Sequence, residues 1–306
     1  MRAAQIIRWF VALLAWISAA SAIAASHTHP GALTAEKPVL HHVHGLSFSS
    51  DGKSVLVPSH YGLAVYRDAV WSEVNGPIHD FAGFSVNESA IYASGHPTKA
   101  SALPDPLGLV KSTDGGGSWR SLALGGEVDF HLIAAGYRSN ALYVLNGQPN
   151  SAMPAAGLYL TLDEGKTWRR AAARRLEGEI LGLAAHPREA KTLAAATDQG
   201  LFLSRDAGAS FRRLDRVAAT AVTFDLEGKG LYYARAIRRE LVSAPLDSQA
   251  RTLLRLPPLG LDYATHVAQN PKDERSLVIA TQRRHVFITN DGGTKWLQIA
   301  KDGDLP

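Results

Sequence analysis

Four short segments of this chain repeat one pattern: STDGGGSW at 112–119, TLDEGKTW at 161–168, SRDAGASF at 204–211 and TNDGGTKW at 289–296. Each reads Ser or Thr, any residue, Asp, any residue, Gly, and then an aromatic residue three places on. An aspartate accepting backbone N–H bonds, with a glycine at positive φ behind it, makes a tight hairpin turn, and the aromatic anchors the next strand. The aspartates, Asp114, Asp163, Asp206 and Asp291, are separated by 49, 43 and 85 residues. The last gap spans two periods, which places a degenerate repeat near SAPLDSQARTL. Upstream, Asp68 and Trp71 in VYRDAVWSEV keep part of the pattern. A sustained period of this kind decides architecture before any single residue does. Six repeats of roughly 43 residues fill positions 41 to 300 without a domain break.

Within each repeat an apolar run is followed by a second, such as ALYVL or SLVIA, and then by a GLYLT-like strand leading into the box. Four short strands per repeat predict an all-β, six-bladed β-propeller of four-stranded antiparallel blades, the spacing favouring six blades over seven. The four boxes resemble Asp-box (BNR) repeats, found in sialidases, sortilin-type receptors and photosystem assembly factors. With HVHGL, SGHP and PLGL ahead of the first full box, the whole chain looks like exported bacterial propellers labelled glycosyl hydrolase-like. The resemblance covers roughly 260 residues and speaks to fold more than to function. It implies that the box sits between the third and fourth strands, on the outer rim away from the ligand face. Asp114, Asp163, Asp206 and Asp291 are then structural residues and not catalytic acids.

The first residues carry an address. Arg2 and Arg8 form a positive region, Trp9 to Ala20 an apolar core, and Ala22-Ile23-Ala24 a cleavage site, so residues 1–24 read as a secretory signal peptide. The mature protein is expected in the periplasm or outside the cell, with a flexible His-containing tail at 25–38 and a propeller at 39–306. No later stretch reaches about 18 uninterrupted apolar residues, so no membrane span is expected. Without the two leader arginines the net charge falls from +4 to +2, only a weak argument for nucleic acid, and export argues against such a partner. There are no cysteines, so neither disulfides nor thiolates enter any scheme.

Histidines are the chemical signal. KPVLHHVHGLSF places His41, His42 and His44 just ahead of an expected innermost strand. Aligning the innermost strands of the repeats sets His79 and Asp80, Asp129 and His131, Glu179, and His266 at equivalent entries. His60 and His96 end the antiparallel second strands and return to the same face. His131 and His266 fall where other repeats have Gly45, Gly83, Gly182 and Ala221, so their rings are expected to intrude on the channel. His42, His44, His60, His79, His96 and His131, with His266 as a further member, form a candidate copper or zinc site on the channel face, Asp80 and Asp129 orienting the rings. Ala25-Ser26-His27, freed by cleavage after Ala24, is a second candidate, for Cu(II) or Ni(II). His186 and His285 are read as structural or surface residues.

Two other functions fit the fold. A sialidase-like glycoside hydrolase would draw on Asp80, Asp129 and Glu179, with Arg138, Arg235 and Arg283 and the tyrosines Tyr61, Tyr233 and Tyr263 in reach. The sialidase Phe/Tyr-Arg-Ile-Pro signature is absent, as are a G-x-S-x-G serine motif and any phosphate-binding glycine loop outside the boxes. A metal-free propeller docking a protein or peptide is the third reading, with SGHPTKASALPDPLGL as a lid, a docking arm or a Pro-stiffened connection. The reading adopted is an exported binding protein with a histidine-rich metal or small-ligand site; any catalytic residue is left unknown.

Overall fold

The computed structural model describes residues 39–74 and 76–306. The leader at 1–24, the tail at 25–38 and the His27 site lie outside the described residues. Six four-stranded antiparallel sheets follow one another along the chain, each built from four consecutive strands. Blade one holds β1 (Ser47–Phe48), β2 (Val55–Ser59), β3 (Gly62–Arg67) and β4 (Val70–Glu73). Blade two holds β5 (Asp80–Val86), β6 (Ile91–His96), β7 (Leu109–Ser112) and β8 (Arg120–Ala123). Blade three holds β9 (Ile133–Ala135), β10 (Leu142–Asn146), β11 (Gly157–Thr161) and β12 (Arg169–Arg170). Blade four holds β13 (Ile180–Ala185), β14 (Leu193–Thr197), β15 (Gly200–Ser204) and β16 (Arg212–Asp215). Blade five holds β17 (Ala219–Phe224), β18 (Gly230–Arg235), β19 (Glu240–Pro245) and β20 (Thr252–Leu254). Blade six holds β21 (Ala264–Asn270), β22 (Asp273–Thr281), β23 (Val286–Thr289) and β24 (Leu297–Ala300). This is a six-bladed β-propeller, and no described residue is helical.

The core is six seams and not one centre. Side chains on a strand alternate between faces, so each blade sends one set to the blade before it and one to the blade after. In β14, Leu193 and Ala195 pack toward blade three while Ala194 and Ala196 pack toward blade five. The same division produces apolar seams between every neighbouring pair, and a sixth joins blade one to blade six. Closure is reinforced by the chain ends: Val39 bridges Asp304, Leu40 N–H donates to Gly303 O, and Trp71 Nε1–H donates to Ile299 O.

The repeated box joins the third strand to the fourth in blades two, three, four and six. In blade three, Thr161 Oγ1–H donates to Asp163 Oδ1 at 2.7 Å and accepts Gly165 N–H at 2.9 Å, while Asp163 accepts Thr167 N–H at 2.9 Å. Hydroxyl donation from Ser118, Thr167 and Ser210, four residues on, contributes most to holding Asp114, Asp163 and Asp206 down to about 2, with these bonds adding to it. Asp291, bonded chiefly by Lys295 N–H, is lowered as well. Two successive residues in each turn are left-handed, Glu164 (φ 59°) and Gly165 (φ 89°) in blade three. A side chain on the second would strike the preceding blade: a Cβ at Gly208 would lie 2.7 Å from that of Ala171. The box aromatics Trp119, Trp168, Phe211 and Trp296 all enter the seam with the preceding blade, and Trp71 does the same in blade one.

Candidate metal centre

The first strands of all six blades line a central channel of about 210 Å³, whose lining includes His44, His131 and His266. His42 and His44 stand ahead of this ring but not in a strand, because β1 begins only at Ser47. Its partner β2 carries Pro58, which has no N–H to extend the ladder, and the chain keeps only a His44 N–H bond to Pro58 O at 3.3 Å. Four other innermost strands carry a β-bulge near this end, one of them between Ala264 and His266, which re-aims side chains toward the channel.

The structure brings three histidines together. One nitrogen from each of His42, His44 and His60 lies within 4.8 Å of the others. His60 Nε2 is 3.1 Å from His42 Nδ1 and 3.3 Å from His44 Nε2, while His60 Nδ1 is 2.7 Å from Asp80 Oδ1. The carboxylate places the proton on His60 Nδ1, so Nε2 turns a lone pair into the centre of the group. One lone pair takes one in-plane hydrogen bond, and two rings face it. An ion at the centre would satisfy all three nitrogens. Tetrahedral zinc with bonds of about 2.0–2.1 Å has neighbouring ligands about 3.3 Å apart, close to both separations found here. Burial, then the neighbouring His60 and His42, push His44 down to about 4, leaving its ring neutral in ordinary buffers. His42 is lowered by burial first, then by His60 and the Arg284 guanidinium.

The other candidates divide. His79 is fully buried, its ring against Phe81 and its Nδ1 accepting Thr98 N–H, so it faces the core and leaves the cluster. Sequence alignment placed it at the entry, and the fold turns it inward. His41 is exposed and tilts against Tyr61. His266, half-buried in the channel wall beside His44, is lowered to about 4 by desolvation and then by His44. His96 and His131 form a separate group around Asp129, described below. His186 is a core residue whose Nδ1 accepts the amides of Arg188 and Glu189. Glu179 is exposed just ahead of β13, its N–H donating to Asp198 Oδ1, and it is not part of the histidine cluster.

The arginines of the hydrolase reading are each engaged elsewhere. Arg235 binds Asp215 and Glu240 in blade five, Arg283 faces Asp302, and Arg138 pairs with Glu88 beyond the far end of β9. The Pro-bounded loop after β6 is packed, with Leu107 fully buried and Leu107 N–H bonded to Gly95 O. That loop delivers one residue that sequence reasoning missed: Asp105, whose Oδ1 is 2.6 Å from His96 Nδ1. Blades without this loop have no equivalent, so the repeat register carried no signal for it.

No protein-family model matches the chain, and no curated protein matches it in sequence. Solved structures do. A GH74 enzyme from Niastella koreensis is 15% identical over 86% of this chain and 46% of its own, with a TM-score of 0.59. A GH74 xyloglucanase from Xanthomonas campestris is 14% identical over 87% of this chain and 46% of its own, with a TM-score of 0.54. A chain of a nidogen/laminin complex is 12% identical over 82% of this chain and 95% of its own, with a TM-score of 0.60. The chain spans about half the length of the two GH74 enzymes. At these identities the likeness is one of fold, and the fold is the β-propeller.

Proposed function

We propose that this protein is an exported, periplasmic binding propeller of the Asp-box type that takes a divalent metal ion at the channel mouth. The ligands are His42, His44 and His60, with Asp80 holding His60 in the ligating tautomer. The observation that carries this reading is the convergence of three imidazole nitrogens on one point, one of them fixed by a carboxylate. Imidazole without thiolate suits zinc or copper, and the two His60 separations match those between ligands of a tetrahedral zinc. A glycoside hydrolase would need two unengaged carboxylates across a cleft. Asp80 and Asp129 are instead each tied to histidine, which supports binding over hydrolysis.

The test is a competitive zinc titration of untagged protein against a chromophoric chelator. The His60→Ala variant should lose the site, and Asp80→Asn should weaken it about 10–100-fold, the usual cost of losing a carboxylate behind a ligating histidine. Equal affinity in wild type and both variants would discard the reading. The tail residues His27 and His29 are common to all three proteins, so differences report on the propeller.

A further inference from the structure

The histidines of blades two and three build a second electron-rich centre that the triad does not use. His96 Nδ1 lies 2.6 Å from Asp105 Oδ1, which places the proton there and leaves the His96 Nε2 lone pair free. A second carboxylate stands near that nitrogen: His96 Nε2 is 3.5 Å from Asp129 Oδ2. A neutral nitrogen and an anionic oxygen at this separation repel unless a positive charge lies between or beside them. His131 Nε2 approaches the same oxygen at 3.1 Å. Asp129 Oδ1 is buried and finds no hydrogen-bond partner among the described residues. A buried carboxylate oxygen without a partner calls for an explanation, and an unplaced ion is one.

The backbone holds this arrangement in place. Phe130, between the two site residues, is fully buried in the seam of blades two and three, and its N–H donates to Ser94 Oγ at 2.8 Å. Asp129 and His131 therefore flank a fixed point, while the exposed rings of His96 and His131 retain room to turn. The chemistry repeats that of the triad, with a carboxylate behind each lead histidine: Asp80 behind His60, Asp105 behind His96.

We propose that Asp129, His96 and His131 hold a second divalent cation at the channel mouth, with Asp105 orienting His96. His96 and His131 each approach Asp129 Oδ2 without all three ligand atoms meeting as closely as the triad's, so binding draws the exposed His131 ring inward and replaces its proton with the ion. A mixed imidazole and carboxylate set is harder than the triad and admits zinc or manganese. The proposal is independent of the triad, because it shares no ligand with it.

Equilibrium dialysis against zinc, with bound metal counted per chain, separates the two sites. Wild type should bind one ion more than Asp129→Asn and one more than His44→Ala, and the double variant should bind two fewer. His96→Ala, which removes an exposed ring, should repeat the Asp129→Asn loss and serves if that variant does not fold. Circular dichroism confirms that each variant is folded. Unchanged ion counts in Asp129→Asn and His96→Ala would overturn the proposal. So would a double variant losing no more than either single one, since that result means one shared ion. Loss in Asp129→Asn with none in His44→Ala would keep this site and discard the triad.

Discussion

His60 governs what the three-histidine group can do, because it alone has both nitrogens committed by geometry. Its Nδ1 faces Asp80 and its Nε2 faces the two other rings. His44 adds a measurable signature, being held near 4 by burial and by its histidine neighbours. Nuclear magnetic resonance of the ring nitrogens in metal-free protein should find His44 neutral at pH 5 and titrating near 4. An ordinary value near 6.5 would show that the rings do not crowd one another as described. The same depression has a consequence for stability. Between pH 6.5 and 4 the unfolded chain binds protons at His44 and His266 that the folded chain refuses, so stability falls as pH is lowered through that window. Asp114, Asp163 and Asp206, lowered to about 2, keep their contribution there and lose it only below about 3.8. Metal-free protein should therefore lose melting temperature in two steps on acidification, the first smaller in a His44→Ala/His266→Ala variant, with lowered His42 and His79 supplying the remainder.

At the scale of the element, the turn between third and fourth strands is where sequence and fold correspond most closely. Ser or Thr, Asp, Gly and the aromatic each have a separate task in it, so the pattern survives across blades that share little else. Its two left-handed positions are not equivalent. Glu164 and Ala207 occupy the first at φ 59° and 58°, and a Cβ at Gly115 would meet nothing within 4 Å. The second position faces the preceding blade. Gly115→Ala should therefore cost about 1 kcal/mol, the ordinary expense of a left-handed alanine. Gly208→Ala adds the collision with Ala171 and should cost about 2–3 kcal/mol, read by urea denaturation. Equal costs would mean that the seam does not press on the turn. The innermost strands were less legible. Pro58 shortens β1 and bulges redirect four others, and both effects depend on the partner strand, which periodicity along one strand does not report. His79 was misplaced for this reason, and Asp105 was missed because it lies in a loop outside the repeat.

For the whole molecule the period of the box was sufficient: six repeats became six blades, and the degenerate members proved to be blades one and five. In blade five the turn at 246–251 has no box glycine, and Leu246 is buried in the seam with blade four. Closure was not legible, since it depends on residues at opposite ends of the chain meeting in space. Trp71 is one apolar link, 8% exposed, with its indole N–H on Ile299 O. Trp71→Ala should cost about 3–5 kcal/mol, as large core truncations do, and lower the melting temperature of the entire ring in one transition. A small effect would show that the seam between blades one and six is dispensable. The site has the same distributed character: its ligands come from two loops of blade one and its orienting carboxylate from blade two.

The most direct test of the metal centre is X-ray absorption at the zinc edge, on protein carrying Asp129→Asn to remove the second site and loaded with one equivalent of zinc. The triad predicts about three imidazole nitrogens at roughly 2.0–2.1 Å, and a histidine signal that collapses in a His42→Ala/His44→Ala/His60→Ala variant. A shell of oxygen alone, or the same histidine signal in the variant, would contradict it.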